Sequence, residues 1–136
     1  MKKRYVIGLI HNNNEVLLLK KRSPMWQCGF LNGVGGEVGD NESPLDTMIR
    51  EANLKTNLLL EDRSKWNKLQ VSELVRGVQM TITYYSINVG DELNNASQGT
   101  DEELIKFKLF EHNDLKPVHG LSRFIKKIKR NVRVHA

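Results

Sequence analysis

The order of hydrophobic patterns along these 136 residues predicts an α+β fold, with a mixed sheet lying between helices. Two features carry that expectation. Apolar runs with strand-like alternation flank one sharply bounded helical segment, and a second helical pattern closes the chain. The length suits one domain with its own core, so residues 1–136 are read as a single domain in which residues 117–136 form a basic C-terminal helix and tail.

Lys2 to Ile10 and Val16 to Lys21 are β-prone apolar runs joined by "HNNNE", whose asparagines tolerate turn geometry; they predict a hairpin. Arg22 to Ser43 is glycine-rich and should be mostly loop, with a short strand around Val34 to Val38. A helix then begins sharply. Ser43 is placed to cap it, Pro44 occupies the first helical position, and Asp46 stands where it can close a capping box. Leu45, Met48, Ile49 and Ala52 form a buried stripe at helical spacing, so the helix should run to Lys55 or Asn57. Gln70 to Arg76 and Met80 to Val89 are two more strands, Asp91 to Thr100 a polar loop, and "ELIKFKLF" another alternating run. "HGLSRFIKKIKRN" returns to helical spacing through Leu121, Phe124, Ile125 and Ile128.

Composition points to a globular protein, with 39% apolar and 27% charged residues. The basic N-terminus leads into an apolar run too short for a signal peptide, and no run approaches the roughly 20 residues of a membrane span. The single cysteine, Cys28, has no intramolecular partner. A cytoplasmic location without a membrane partner is therefore expected. The net charge of +5 is uneven: Lys116 to Ala136 holds seven Lys/Arg and no Asp/Glu, leaving 14 basic and 16 acidic side chains elsewhere. Arg123, Lys126, Lys127, Lys129 and Arg130 suit either contact with nucleic acid or the solvated face of a terminal helix.

The chemistry concentrates in the helix. A divalent cation on a diphosphate needs hard oxygen ligands converging from one side, and helix positions i, i+3 and i+4 share a face. Glu51 begins such a set, but Leu54 and Lys55 stand at the other two positions. Gly36, Glu42, Arg50, Glu51, Ala52 and Leu58 match the pattern G-x(5)-E-x(7)-R-E-U-x-E-E-x-G-U, in which U is aliphatic; Leu54, Lys55 and Asn57 depart from it. The segment resembles the Nudix box in degenerate form. Upstream, "LLLKKRSPMWQCGFLNGVGGEV" is similar to MutT-like members that hydrolyse purine nucleoside triphosphates, oxidised ones included.

The resemblance implies a Nudix-type α/β/α sandwich and a magnesium site on Glu51 and a backbone carbonyl near Gly35 and Gly36, completed by a late carboxylate from Glu102 or Glu103. It implies that Glu42 and Arg50 pair to brace the loop, and that Asn32 contacts a base, although Asn32 equally suits a turn before Gly33. With two helix carboxylates absent, magnesium binding is expected to be weakened and hydrolysis weak or lost. Lys55 is open to two readings: a surface partner of Glu51, or a cation in the metal's place that contacts phosphate. Leu54 lies opposite the apolar stripe and should face the site rather than the sheet. Trp26, Phe30, Tyr84 and Tyr85 are candidates for stacking on a base or for the core. Glu37 adds negative charge where related enzymes often carry lysine. The functions in play are binding of a nucleoside diphosphate-linked or nucleoside triphosphate ligand, an active pyrophosphohydrolase on nucleotides, and a nucleic-acid or protein interaction module.

Overall fold

The first two strands decide the architecture because they bury apolar side chains on both faces. The computed structural model describes residues 2–22, 31–76, 78–109, 124–126 and 128–130. Strands β1 (Lys2–His11) and β2 (Glu15–Lys20) flank a turn in which Asn12 Oδ1 accepts from the backbone N–H groups of Asn14 and Glu15, at 3.0 and 2.8 Å. Asn13 takes the left-handed conformation there, at φ 80°. Val6, Ile10, Leu17 and Leu19 belong to one buried cluster, and Leu9, Val16 and Leu18 to another. Residues two apart share a sheet face. The sheet is therefore buried on both sides and needs a cover on each.

Helix α1 (Pro44–Thr56) covers the first face. Its start is the predicted one: Ser43 accepts from the Asp46 N–H while the Asp46 side chain accepts from the Ser43 N–H, a reciprocal capping box after which Pro44 opens the helix. Met48 and Ala52 are fully buried, with Leu45 and Ile49 packed beside them. Truncating Met48 to alanine should cost about 2–5 kcal/mol. The helix ends at Asn57, whose φ of 60° is left-handed. That is the conformation for which helices favour glycine and next asparagine, so the departure from the box pattern at this position keeps the same backbone.

The second face is covered by the helical residues 124–126 and 128–130, where Phe124, Ile125 and Ile128 are buried and Phe124 stacks on Tyr84 at 4.5 Å between ring centroids. Tyr85, its neighbour in sequence, points to the other face and meets Trp66 edge-on at 6.4 Å. Both tyrosines thus serve the two cores, where the sequence had left base stacking open.

The strand pairing opens a fork. β3 (Leu31–Asn32) pairs with the end of β2, while β4 (Val34–Glu37) pairs with the middle of β1, Tyr5 to Gly8. The hairpin is paired directly only at Ile10 with Leu17 and His11 with Val16, so the short β3–β4 stretch wedges between its splayed arms. β5 (Asn67–Arg76) and β6 (Val78–Asn88) form an antiparallel pair, β6 runs parallel to β1, and β7 (Leu104–Lys108) pairs antiparallel with β2. β5 begins at Asn67 rather than Gln70 because the register shifts between Lys68 and Gln70, an irregularity that hides the alternation in sequence. The expected loop from Asp91 to Thr100 overlaps a 3-10 segment, Gly90–Asn95, anchored by buried Leu93.

Candidate functional site

The wedge and the helix bring the box residues together. Glu42, in the turn before α1, receives two bonds from Arg50, from Nε at 3.0 Å and from Nη2 at 2.8 Å, and a third from the Thr47 hydroxyl at 3.1 Å. The guanidinium, with help from Thr47, holds the Glu42 carboxyl below the usual carboxylate range, and Glu42 in turn raises Arg50. Arg50 also donates to Glu51 Oε1 at 3.2 Å. The brace between loop and helix is present as a hydrogen-bonded chain.

Glu51 turns back toward β4. A Cβ on Gly36 would stand 2.6 Å from Glu51 Oε1, so this position must lack a side chain for the carboxylate to lie against the strand. One helical turn later Lys55 extends over the same ground. Its ammonium donates to the Gly35 carbonyl oxygen and lies 3.3 Å from Glu51 Oε2 and 3.8 Å from Glu102 Oε1. The side chains of Glu51, Lys55 and Glu102 are only 12 to 13% exposed. Lys55 is therefore not a surface decoration of the helix. Leu54 is 52% exposed and faces solvent.

Glu102 arrives from a loop that closes the end of α1. The last carbonyls of a helix have no partner within it. Here the Lys55 carbonyl accepts from Gly99 N–H at 3.1 Å and the Thr56 carbonyl from Ser97 N–H at 2.9 Å. Close approach is enforced at Gly99, where a Cβ would lie 1.9 Å from the Leu54 carbonyl oxygen. The loop then passes beside the end of β2, where Arg22 N–H donates to Glu102 Oε2 at 3.2 Å and Lys21 Nζ lies 3.6 Å from the same oxygen. Glu103 is excluded from the cluster. It is exposed and meets β2 through its backbone carbonyl, which accepts from Lys20 N–H at 3.0 Å, because neighbouring residues of an extended chain point to opposite sides.

Lys21 is the site residue that the sequence reading passed over. Burial lowers its affinity for a proton, and the Lys55 charge lowers it further, against the opposing pull of Glu102 and Glu51. Nothing in "LLLKKRSP" separates this lysine from its solvated neighbour Lys20; only the opposite directions of successive side chains at the end of β2 do. Asn32 is 4% exposed and its Oδ1 accepts from Gly33 N–H at 2.8 Å, so the amide braces the junction of β3 and β4. Glu37 is exposed at the end of β4. Trp26, Cys28, Phe30, Arg123 and Lys127 lie outside the described residues. Lys126 and Arg130 are exposed on the helical segment whose apolar side is buried, the ordinary pattern of a solvated face.

Magnesium does not fit this donor set. The ion demands near-octahedral oxygen coordination at about 2.0–2.1 Å, whereas the oxygens of Gly35, Glu51 and Glu102 already converge on the Lys55 ammonium. Among the described residues no group of three or more His, Cys, Asp or Glu is arranged to hold a metal, and no helix is long and apolar enough to cross a membrane.

Comparison with known proteins gives a consistent result. A family model described as NUDIX domain matches residues 1–132. No curated protein sequence matches the chain. Among solved structures, a MutT from work on Aliivibrio salmonicida and Vibrio cholerae is similar at TM-score 0.75 and 16% identity, covering 96% of this chain and 99% of that one. The NUDIX domain of Shewanella oneidensis NrtR, complexed with ADP ribose, is similar at TM-score 0.76 and 12% identity, with 97% and 89% covered. A MutT/nudix family protein from Enterococcus faecalis matches at TM-score 0.70 and 20% identity; 83% of this chain is covered, which spans about half (46%) of the Enterococcus chain. At these identities the likeness is one of fold, an α/β/α sandwich around a mixed sheet.

Proposed function

Because the chain belongs to the NUDIX domain family, we propose that it binds the diphosphate portion of a nucleoside diphosphate-linked or nucleoside triphosphate ligand and hydrolyses it slowly or not at all. One observation carries this reading: the Lys55 ammonium sits among Gly35 O, Glu51 and Glu102, at the helix position where the family pattern has a carboxylate. A metal at such a site polarises the phosphoryl oxygen and activates water. An ammonium supplies positive charge and hydrogen-bond donors but has no open coordination position for water, so it favours holding phosphate over cleaving it. The ADP ribose bound by the Shewanella domain supports a ligand of this class.

The competing reading, an active pyrophosphohydrolase, draws on the two carboxylates, Glu51 and Glu102, that do converge. Calorimetry with ADP-ribose and dGTP, in excess EDTA and again in magnesium, separates the two. Binding is expected in EDTA and should weaken in Lys55→Ala. Binding that requires magnesium, or turnover at an ordinary enzyme rate of about 1–10³ per second, overturns the proposal.

A further inference from the structure

Glu102 is held in the manner of a bound anion. Its two carboxylate oxygens are taken by different lysines: Oε1 faces Lys55 Nζ at 3.8 Å, and Oε2 faces Lys21 Nζ at 3.6 Å while accepting from the Arg22 N–H at 3.2 Å. All three side chains are 12 to 13% exposed, in a setting where charge is poorly screened. Two ammoniums and a backbone N–H converging on a pair of oxygens match the needs of a phosphoryl group as well as those of a carboxylate.

The charge balance points the same way. The linked cluster comprises Glu42, Glu51 and Glu102 against Lys21, Arg50 and Lys55, three acids and three bases, for a net charge of zero. Withdrawing Glu102 alone leaves it at +1. Of the two acids that face Lys55, Glu51 is carried by α1 and Glu102 by an irregular segment. The ion pair beside it, Arg22 with Asp101 at 2.9 Å, is 67% and 80% exposed and adds little to hold the segment down. Glu51, Lys55 and Arg50 are fixed on α1, and Lys21 follows directly on β2.

We propose that Lys21, Lys55 and the Arg22 N–H form a metal-independent phosphate subsite, and that Glu102 occupies it in the free protein and is displaced by a phosphate of the ligand. The proposal rests on the diphosphate-binding reading above, and it adds the residues that receive the phosphate and the residue that opposes it. The depressed proton affinity of Lys21 agrees with an ammonium drawn out of water and facing a second cation. A phosphate brings more negative charge than the carboxylate it replaces.

The test titrates inorganic pyrophosphate into the 136-residue chain in EDTA, by calorimetry. Glu102→Gln retains an acceptor for the Arg22 N–H and removes the competing charge. It should tighten pyrophosphate binding by about tenfold or more, a factor equivalent to roughly 1.4 kcal/mol. Glu103→Gln removes the same charge one residue away, outside the cluster, and should change affinity little. Adding Lys21→Met to Glu102→Gln should abolish the gain. Unchanged or weaker binding in Glu102→Gln, an equal gain in Glu103→Gln, or a gain that survives Lys21→Met would each overturn the proposal. Parallel titrations with ADP-ribose keep the two readings apart. Nucleotide binding in EDTA that is indifferent to Glu102→Gln leaves diphosphate binding standing and removes the subsite, whereas the pyrophosphate gain without nucleotide binding does the reverse.

Discussion

Replacing Lys55 by glutamate should make the protein's stability depend on magnesium. In the wild type the Lys55 ammonium lies 3.3 Å from Glu51 and 3.8 Å from Glu102. At an effective dielectric constant of about 20, unit charges at such separations attract by roughly 4–5 kcal/mol before desolvation is subtracted. Reversing the sign at residue 55 removes both attractions and adds repulsion. Arg50 beside Glu51 and Lys21 beside Glu102 remain to compensate. A destabilisation near the lower end of the range for breaking a buried pair, about 3 kcal/mol, is expected in EDTA. The variant then offers three carboxylates and the Gly35 carbonyl with no ammonium at their centre, Arg50 and Lys21 staying at the rim. At free magnesium about a hundredfold above its dissociation constant, binding returns roughly 2.7 kcal/mol. For a chain of this size that is a rise in melting temperature of about 9 °C. Thermal unfolding of both proteins in EDTA and in magnesium measures the difference directly. An equal magnesium shift in the wild type, or none in Lys55→Glu, would refute the assignment of Lys55 to the metal's position.

Two further outcomes follow from local structure. Burial pushes the His11 imidazole down to about 4. The folded value lies below the unfolded one, so the contribution of neutral His11 is complete above roughly pH 6.5 and is lost as pH falls toward 4, by up to about 3 kcal/mol. Urea midpoints of the wild type should fall between about pH 7 and 4.5, and His11→Gln should flatten that slope; an unchanged slope places the titration elsewhere. At the end of α1, Asn57→Ala must hold a left-handed backbone and should cost about 1 kcal/mol, while Asn57→Gly should stay within a few tenths of the wild type. Equal losses in the two would assign the cost to the hydrogen bond from Asn57 to Ser97 instead.

Where signals are local, they were legible. The start of α1 depends on Ser43, Pro44 and Asp46, within one helical turn, and the stripe of Leu45, Met48, Ile49 and Ala52 names its buried face. Asn13 lies in the run whose asparagines announce a turn, whereas the left-handed backbone of Asn57 emerged only in the structure. β1 and β2 were legible as continuous apolar, β-prone runs, whereas the start of β5 was obscured, where the register shift interrupts the pattern. The two-residue β3 had no signal of its own, since so short a strand exists only because the hairpin splays to receive it.

The same division runs through the candidate site. Helical spacing alone determined that Glu51 and Lys55 share a face and that Arg50 adjoins them, because backbone hydrogen bonding sets those positions within a few residues. Which late glutamate joins them, and whether any lysine outside the helix does, was decided by the pairing of β7 with β2, which sets Glu102 against Arg22 across 80 residues of sequence and turns Glu103 away. No pattern in the chain encodes that meeting locally. It is specified by sheet register, and register is chosen by burying Leu18 and Ile105 on one face while Leu17 and Leu19 are buried on the other, a condition that exists only once the strands are side by side.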